Sequence, residues 1–160
     1  MRTEPLVFRR EPQGVVRIGS EAMSILAAHR QLREDLPEAG GLLLGRFFED
    51  RPDLLIDEAT VPTSIDRRSR FAIFRPKEGA QRLIDSAWKA SGGTRNFLGE
   101  WHSHPEPRPT PSCRDLANWR RISRKAEYEQ SGLLFIIVGS DEIKAWEVRR
   151  DGTTLVLGLL

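Results

Sequence analysis

Cysteine is nearly absent from this 160-residue chain: Cys113 is the only one. No intramolecular disulfide can form, and no four-cysteine zinc site can be built. Long apolar runs are also missing, and none approaches the roughly twenty residues that a membrane helix needs. The first residues, MRTEPLVFRREP, carry charge and proline where a secretory signal would carry an apolar core, so a cytoplasmic protein is expected. Charge of one sign is not in excess. The net charge is +2, too small for a dedicated nucleic-acid binder, and no nucleic-acid or membrane partner is expected.

What is present points to a soluble globular fold: 39% hydrophobic and 30% charged residues, enough for one compact domain with a real core. A single domain is expected over 1–160, with 1–12 as a loose arm. Strands are expected over Val15 to Ile18, Gly40 to Phe48, Leu54 to Val61, Phe97 to His102, Leu133 to Val138, Ile143 to Val148 and Thr153 to Leu159. LLFIIV at 133–138 reads as a central strand covered on both faces. Three helices are expected. The first runs over Ala22 to Leu32 with Ser20 as its cap and His29 as a surface or packing residue. The second covers 77–91 and is stopped by Gly92-Gly93. The third is opened by Ser112 and runs to about Tyr128. The expected fold class is α/β (α+β), a single mixed β-sheet flanked by about three helices.

The informative stretch is Gly99-Glu100-Trp101-His102-Ser103-His104-Pro105, followed by a proline-rich loop to Ser112-Cys113-Arg114-Asp115. Residues two apart on a strand share a face, so His102 and His104 can present two imidazoles side by side, with Trp101 and Ser103 turned away. Two histidines with one carboxylate leave a fourth tetrahedral position open, as catalytic zinc sites do, and Asp115 is the natural third ligand. Taken singly, each piece has a plainer reading. His-x-His also suits an exposed strand end, Ser112-x-x-Asp115 is a helix capping pattern, and Glu38 after Pro37 reads as a surface acid. Cys113, inside the motif, reads as a buried filler. No His-x-Glu with Cys-x-x-Cys is present, which disfavours a zinc deaminase. The glycines at 40, 41 and 45 lack a phosphate-binding pattern.

The joint spacing His-x-His, seven residues, Ser, two residues, Asp resembles the JAMM motif of the JAB/MPN metallopeptidases, and 102–115 match it without departure. Glu38 before Gly40-Gly41-Leu42-Leu43-Leu44-Gly45 is similar to that family's Glu-x-Gly-Gly-x-Leu-x-Gly entry. The resemblance covers about residues 20–150. It implies a JAB/MPN-like fold and one Zn2+ per chain held by His102, His104 and Asp115. It further implies Glu38 as general base and Ser112 as a stabiliser of the tetrahedral intermediate. The implied substrate is a protein with a flexible C-terminal tail, a ubiquitin-like or ubiquitin-like-conjugated protein, cleaved after its last residue, usually at an isopeptide bond.

WHSHPEPRPTPS is similar to the stand-alone prokaryotic JAB group, which includes the deconjugating peptidase of CBASS anti-phage operons. There the substrate is a conjugated nucleotidyltransferase, a cyclic-nucleotide synthase. Trimming of a ubiquitin-like sulfur carrier and a non-catalytic MPN-type scaffold are the alternatives. For docking, the expectation is that the tail adds as a strand beside the short extended piece from Phe71 to Phe74. Arg67 and Arg68 would form a basic rim for the substrate body.

Overall fold

The computed structural model describes residues 4–33, 35–61, 67–68, 73–74 and 77–160. Among the described residues, ten strands and three helices follow in the order β1 (Leu6–Arg9), β2 (Val15–Ile18), α1 (Ser20–Ala28), β3 (Gly40–Phe47), β4 (Leu54–Ala59), β5 (Arg67–Arg68), β6 (Ile73–Phe74), α2 (Lys77–Ala90), β7 (Asn96–Ser103), α3 (Cys113–Lys125), β8 (Gly132–Val138), β9 (Ile143–Arg149) and β10 (Thr154–Leu159). The expected mixed sheet with three helices is present, and the sheet closes on itself as the barrel β1-β10-β9-β8-β7-β3-β4-β2. Its two parallel pairs, β7–β8 and β2–β4, have connections that pass through a helix, α3 and α1 respectively. No helix among the described residues is long and apolar enough to cross a membrane.

β8 explains the two-layer core. All seven of its residues are buried. Leu134, Ile136 and Val138 turn into the cluster shared with α1, while Leu133, Phe135 and Ile137 pack under Trp119 of α3. Trp119 stacks on Phe135 at a centroid distance of 4.9 Å. α3 is thereby clamped across β8 and β9, with its N-terminus held near the end of β7.

Four expectations are corrected. The stretch read as a loose arm contains β1, which pairs with both β10 and β2 and closes the barrel. Its partners lie at distant places in the chain, so local pattern does not reveal them. The first helix spans Ser20–Ala28 and has Gly19 at its N-cap with no side-chain cap, so Ser20 is its first residue. The chain leaves that helix at His29, and Leu32, counted in its apolar pattern, is exposed. The third helix ends at Lys125 rather than near Tyr128. Cys113 is exposed, not a buried filler: the buried stripe of α3 runs through Trp119 and Ser123, and its first residue lies off it.

Candidate metal centre and active site

β7 carries Trp101 into the barrel core and turns His102 outward, as strand alternation requires. His104 stands just past the strand end. Its N–H donates to Val138 O at 3.0 Å, continuing the parallel pairing with β8. On the other side, β3 runs antiparallel to β7 with Gly40 opposite His102. Extending that register by two residues brings Glu38 opposite His104, on the same face. Gly41 has no room for a side chain there: a Cβ would meet Trp101 Nε1 of β7 at 2.6 Å and Thr60 O, just past β4, at 2.0 Å.

The two imidazoles converge, with their Nε2 atoms 3.0 Å apart. Asp115 reaches both, Oδ1 lying 3.4 Å from His102 Nε2 and Oδ2 3.3 Å from His104 Nε2. Glu38 Oε1 lies 3.8 Å from His102 Nε2, and Glu38, His102 and His104 offer donor atoms within 4.8 Å of one another. Two carboxylates therefore face one imidazole pair. Asp115 is the nearer and spans both rings.

Asp115 also completes a capping box on α3. Ser112 N–H donates to Asp115 Oδ2 at 2.8 Å, and Asp115 N–H donates to Ser112 Oγ at 3.1 Å. The capping reading and the site reading thus fall on the same residues. Because Ser112 Oγ accepts in the cap, its own proton is left to donate, and the residue is exposed. His104 Nδ1 lies 3.0 Å from Glu106 Oε1. A carboxylate only accepts, so Nδ1 donates to Glu106, which leaves Nε2 as the ring nitrogen that would turn to a metal. Glu106 is a member of the site that sequence reasoning passed over. The available signal was a carboxylate two residues beyond a candidate ligand.

Electrostatics separate the two carboxylates. Burial pushes the Glu38 carboxyl up to about 7, with His104 opposing and Asp115 adding to the rise. Asp115 is also raised by burial, but hydrogen bonds from His102, His104 and the Ser112 N–H outweigh it and hold the carboxyl well below the usual range. For His104 burial lowers the pKa, yet Asp115, Glu38 and Glu106 together raise it overall. One carboxylate is poised to exchange a proton near neutrality, and the other stays ionised.

The donor set suits a metal. In tetrahedral zinc with ligands at ~2.0–2.1 Å, neighbouring donors stand ~3.3 Å apart, close to the separations among His102, His104 and Asp115. These residues line an open groove whose walls are α2 and α3, with Trp88 and Ile84 on one side and Trp119 and Ile122 on the other.

Arg67, Arg68 and Phe74 lie on β5 and β6, which pair antiparallel as Arg67↔Phe74 and Arg68↔Ile73. Their side chains, and the whole of Phe71, lie outside the described residues.

A family model described as prokaryotic homologs of the JAB domain matches residues 20–149. A protein named CD-NTase/cGAS isopeptidase from Pseudomonas aeruginosa is 41% identical over 115 residues, covering 72% of this chain and 71% of the relative. A Vibrio cholerae protein of the same name is 33% identical over 150 residues, covering 94% and 92%. Among solved structures, a Desulfitobacterium hafniense protein superposes with a TM-score of 0.59 at 24% identity, over 87% of each chain, a likeness of fold.

Proposed function

The chain belongs to the prokaryotic JAB family, and from that premise we propose that it is a zinc isopeptidase that frees a nucleotidyltransferase from proteins to which its C-terminus has been joined. The relatives named CD-NTase/cGAS isopeptidase support the substrate class. The role that follows is reversal of conjugation in CBASS anti-phage defence, in the cytoplasm. The observation that carries the chemistry is the convergence of two carboxylates on one imidazole pair, Asp115 spanning both Nε2 atoms at 3.4 and 3.3 Å and Glu38 standing beside them at 3.8 Å from His102 Nε2.

In this reading His102, His104 and Asp115 hold one zinc ion per chain. When bound, zinc supplies Lewis-acid polarisation of the scissile carbonyl and makes a water acidic enough to attack near neutral pH. Glu38 takes the proton from the attacking water and delivers it to the departing lysine amine, a transfer for which a pKa near 7 is suited. Ser112 donates its hydroxyl proton toward the developing oxyanion, a contact whose loss typically costs ~10²–10³ in rate. Glu106 holds the His104 ring with its Nε2 toward the site.

The test compares wild type, Glu38→Gln and His102→Ala on a nucleotidyltransferase joined through its C-terminal carboxyl to a lysine side chain. Glu38→Gln is expected to keep its zinc by elemental analysis and to lose cleavage. His102→Ala is expected to lose zinc. Cleavage near the wild-type rate by Glu38→Gln would remove the base assignment. Equal zinc in all three would remove the metal assignment, and wild type with neither zinc nor cleavage would indicate a scaffold.

A further inference from the structure

Glu38 stands outside any helix or strand, between Pro37 and the start of β3. A general base must be held to within a fraction of an ångström, so something must fix this irregular backbone. Two buried polar side chains do so. Ala39 N–H donates to Ser103 Oγ at 2.8 Å, and Ser103 N–H donates to Ala39 O at 2.8 Å. The Ser103 hydroxyl has one proton, and it goes to Gln31 Oε1 at 2.9 Å rather than to Ala39 O at 3.5 Å. Gln31 Nε2 then donates to Leu36 O at 3.0 Å. The relay grips the chain on both sides of Glu38, at Leu36 and at Ala39.

Its members are expensive to place there. Gln31 is 3% exposed and Ser103 fully buried, and burying an amide or hydroxyl costs free energy unless its hydrogen bonds are made. Ser103 also lies between His102 and His104 in sequence while pointing to the opposite face of the strand. One residue, the last of β7, therefore ties the loop bearing Glu38 to the segment bearing both imidazoles.

We propose that Gln31 is a positioning residue for Glu38, acting through Ser103 to hold the carboxylate in register with His102 and His104. This rests on Glu38 serving as the base. A misplacement of about 1 Å costs ~10²-fold in rate, so the effect falls on turnover and not on metal or substrate binding.

The experiment measures kcat and KM on the lysine-linked nucleotidyltransferase conjugate, with zinc content and Tm, for Gln31→Met, Ser103→Ala and Ser103→Thr. Gln31→Met is expected to lower kcat roughly 10- to 100-fold with KM and zinc unchanged. Ser103→Thr, which keeps the hydroxyl, is expected to recover most of the kcat lost in Ser103→Ala. In a Glu38→Gln background, Gln31→Met is expected to reduce the residual rate no further, since there is no base left to misplace. Wild-type kcat in a zinc-loaded Gln31→Met protein would overturn the inference, as would a full additional loss in the Glu38→Gln background. If Gln31→Met does not fold, the serine pair decides: Ser103→Ala at wild-type kcat overturns the proposal. Activity in Glu38→Gln alone would instead strike the base assignment, so the two failures are distinct.

Discussion

Two carboxylates over one imidazole pair differ in their surroundings more than in their chemistry. Asp115 meets donors on both oxygens, whereas Glu38 is 4% exposed and has burial as its dominant influence. This difference sets a stability trend for the metal-free protein. The Glu38 carboxyl titrates near 4.5 when unfolded and near 7 when folded, so the folded state binds the proton more tightly. Below about pH 4.5 both states are protonated and burial costs nothing extra. As pH rises towards 7 the ionised group is penalised only in the fold, and stability falls across that window. Glu38→Gln removes the titration. Its stability relative to wild type is expected to improve by about 3 kcal/mol between pH 4.5 and pH 8, read from urea unfolding of zinc-free protein at each pH. A difference that stays flat with pH would contradict the assignment of burial as the cause.

At the scale of elements, α3 does two jobs from one turn. Its capping box caps the helix N-terminus and also fixes the Asp115 carboxylate, which reaches both imidazoles, so the capping pattern and the proposed ligand pattern in the sequence are one pattern. The β5–β6 pair is the second element of interest. Among the described residues the two strands form a separate two-stranded sheet, and the edge of such a sheet can take up an extended tail by main-chain hydrogen bonds. We propose that an extended substrate tail docks there. Charge reversal at Arg67 and Arg68 is expected to lower kcat/KM on the full conjugate about tenfold or more, as loss of electrostatic steering does. A short peptide carrying the same tail is expected to be cleaved almost normally. Equal loss on both substrates, or none on the conjugate, would exclude the basic rim as a docking surface.

For the molecule as a whole, barrel closure depends on the first strand. β1 joins β10 to β2, and Arg10 just beyond it forms a bidentate pair with Glu147 on β9, at 2.8 and 2.9 Å. Both side chains are buried, 6% and 0% exposed. Removing one partner of such a pair leaves a charge uncompensated, so Glu147→Gln is expected to cost about 3–5 kcal/mol in denaturant unfolding. An unchanged midpoint would show that the pair does not hold the barrel shut. By itself the sequence determined what depends on short spacings. The alternation that aligns His102 with His104, the Ser112–Asp115 cap, the doubly buried run at 133–138 and the glycine stop after α2 were all legible, because local backbone geometry governs them. Only the tertiary structure decided what depends on contacts between distant residues. Such contacts recruit the supposed arm as β1, extend the β3–β7 register to set Glu38 opposite His104, and join Gln31 to Ser103 across 72 positions. Their energy comes from burial and hydrogen bonds that exist only once the barrel has closed, and no local pattern encodes which partners it will bring together.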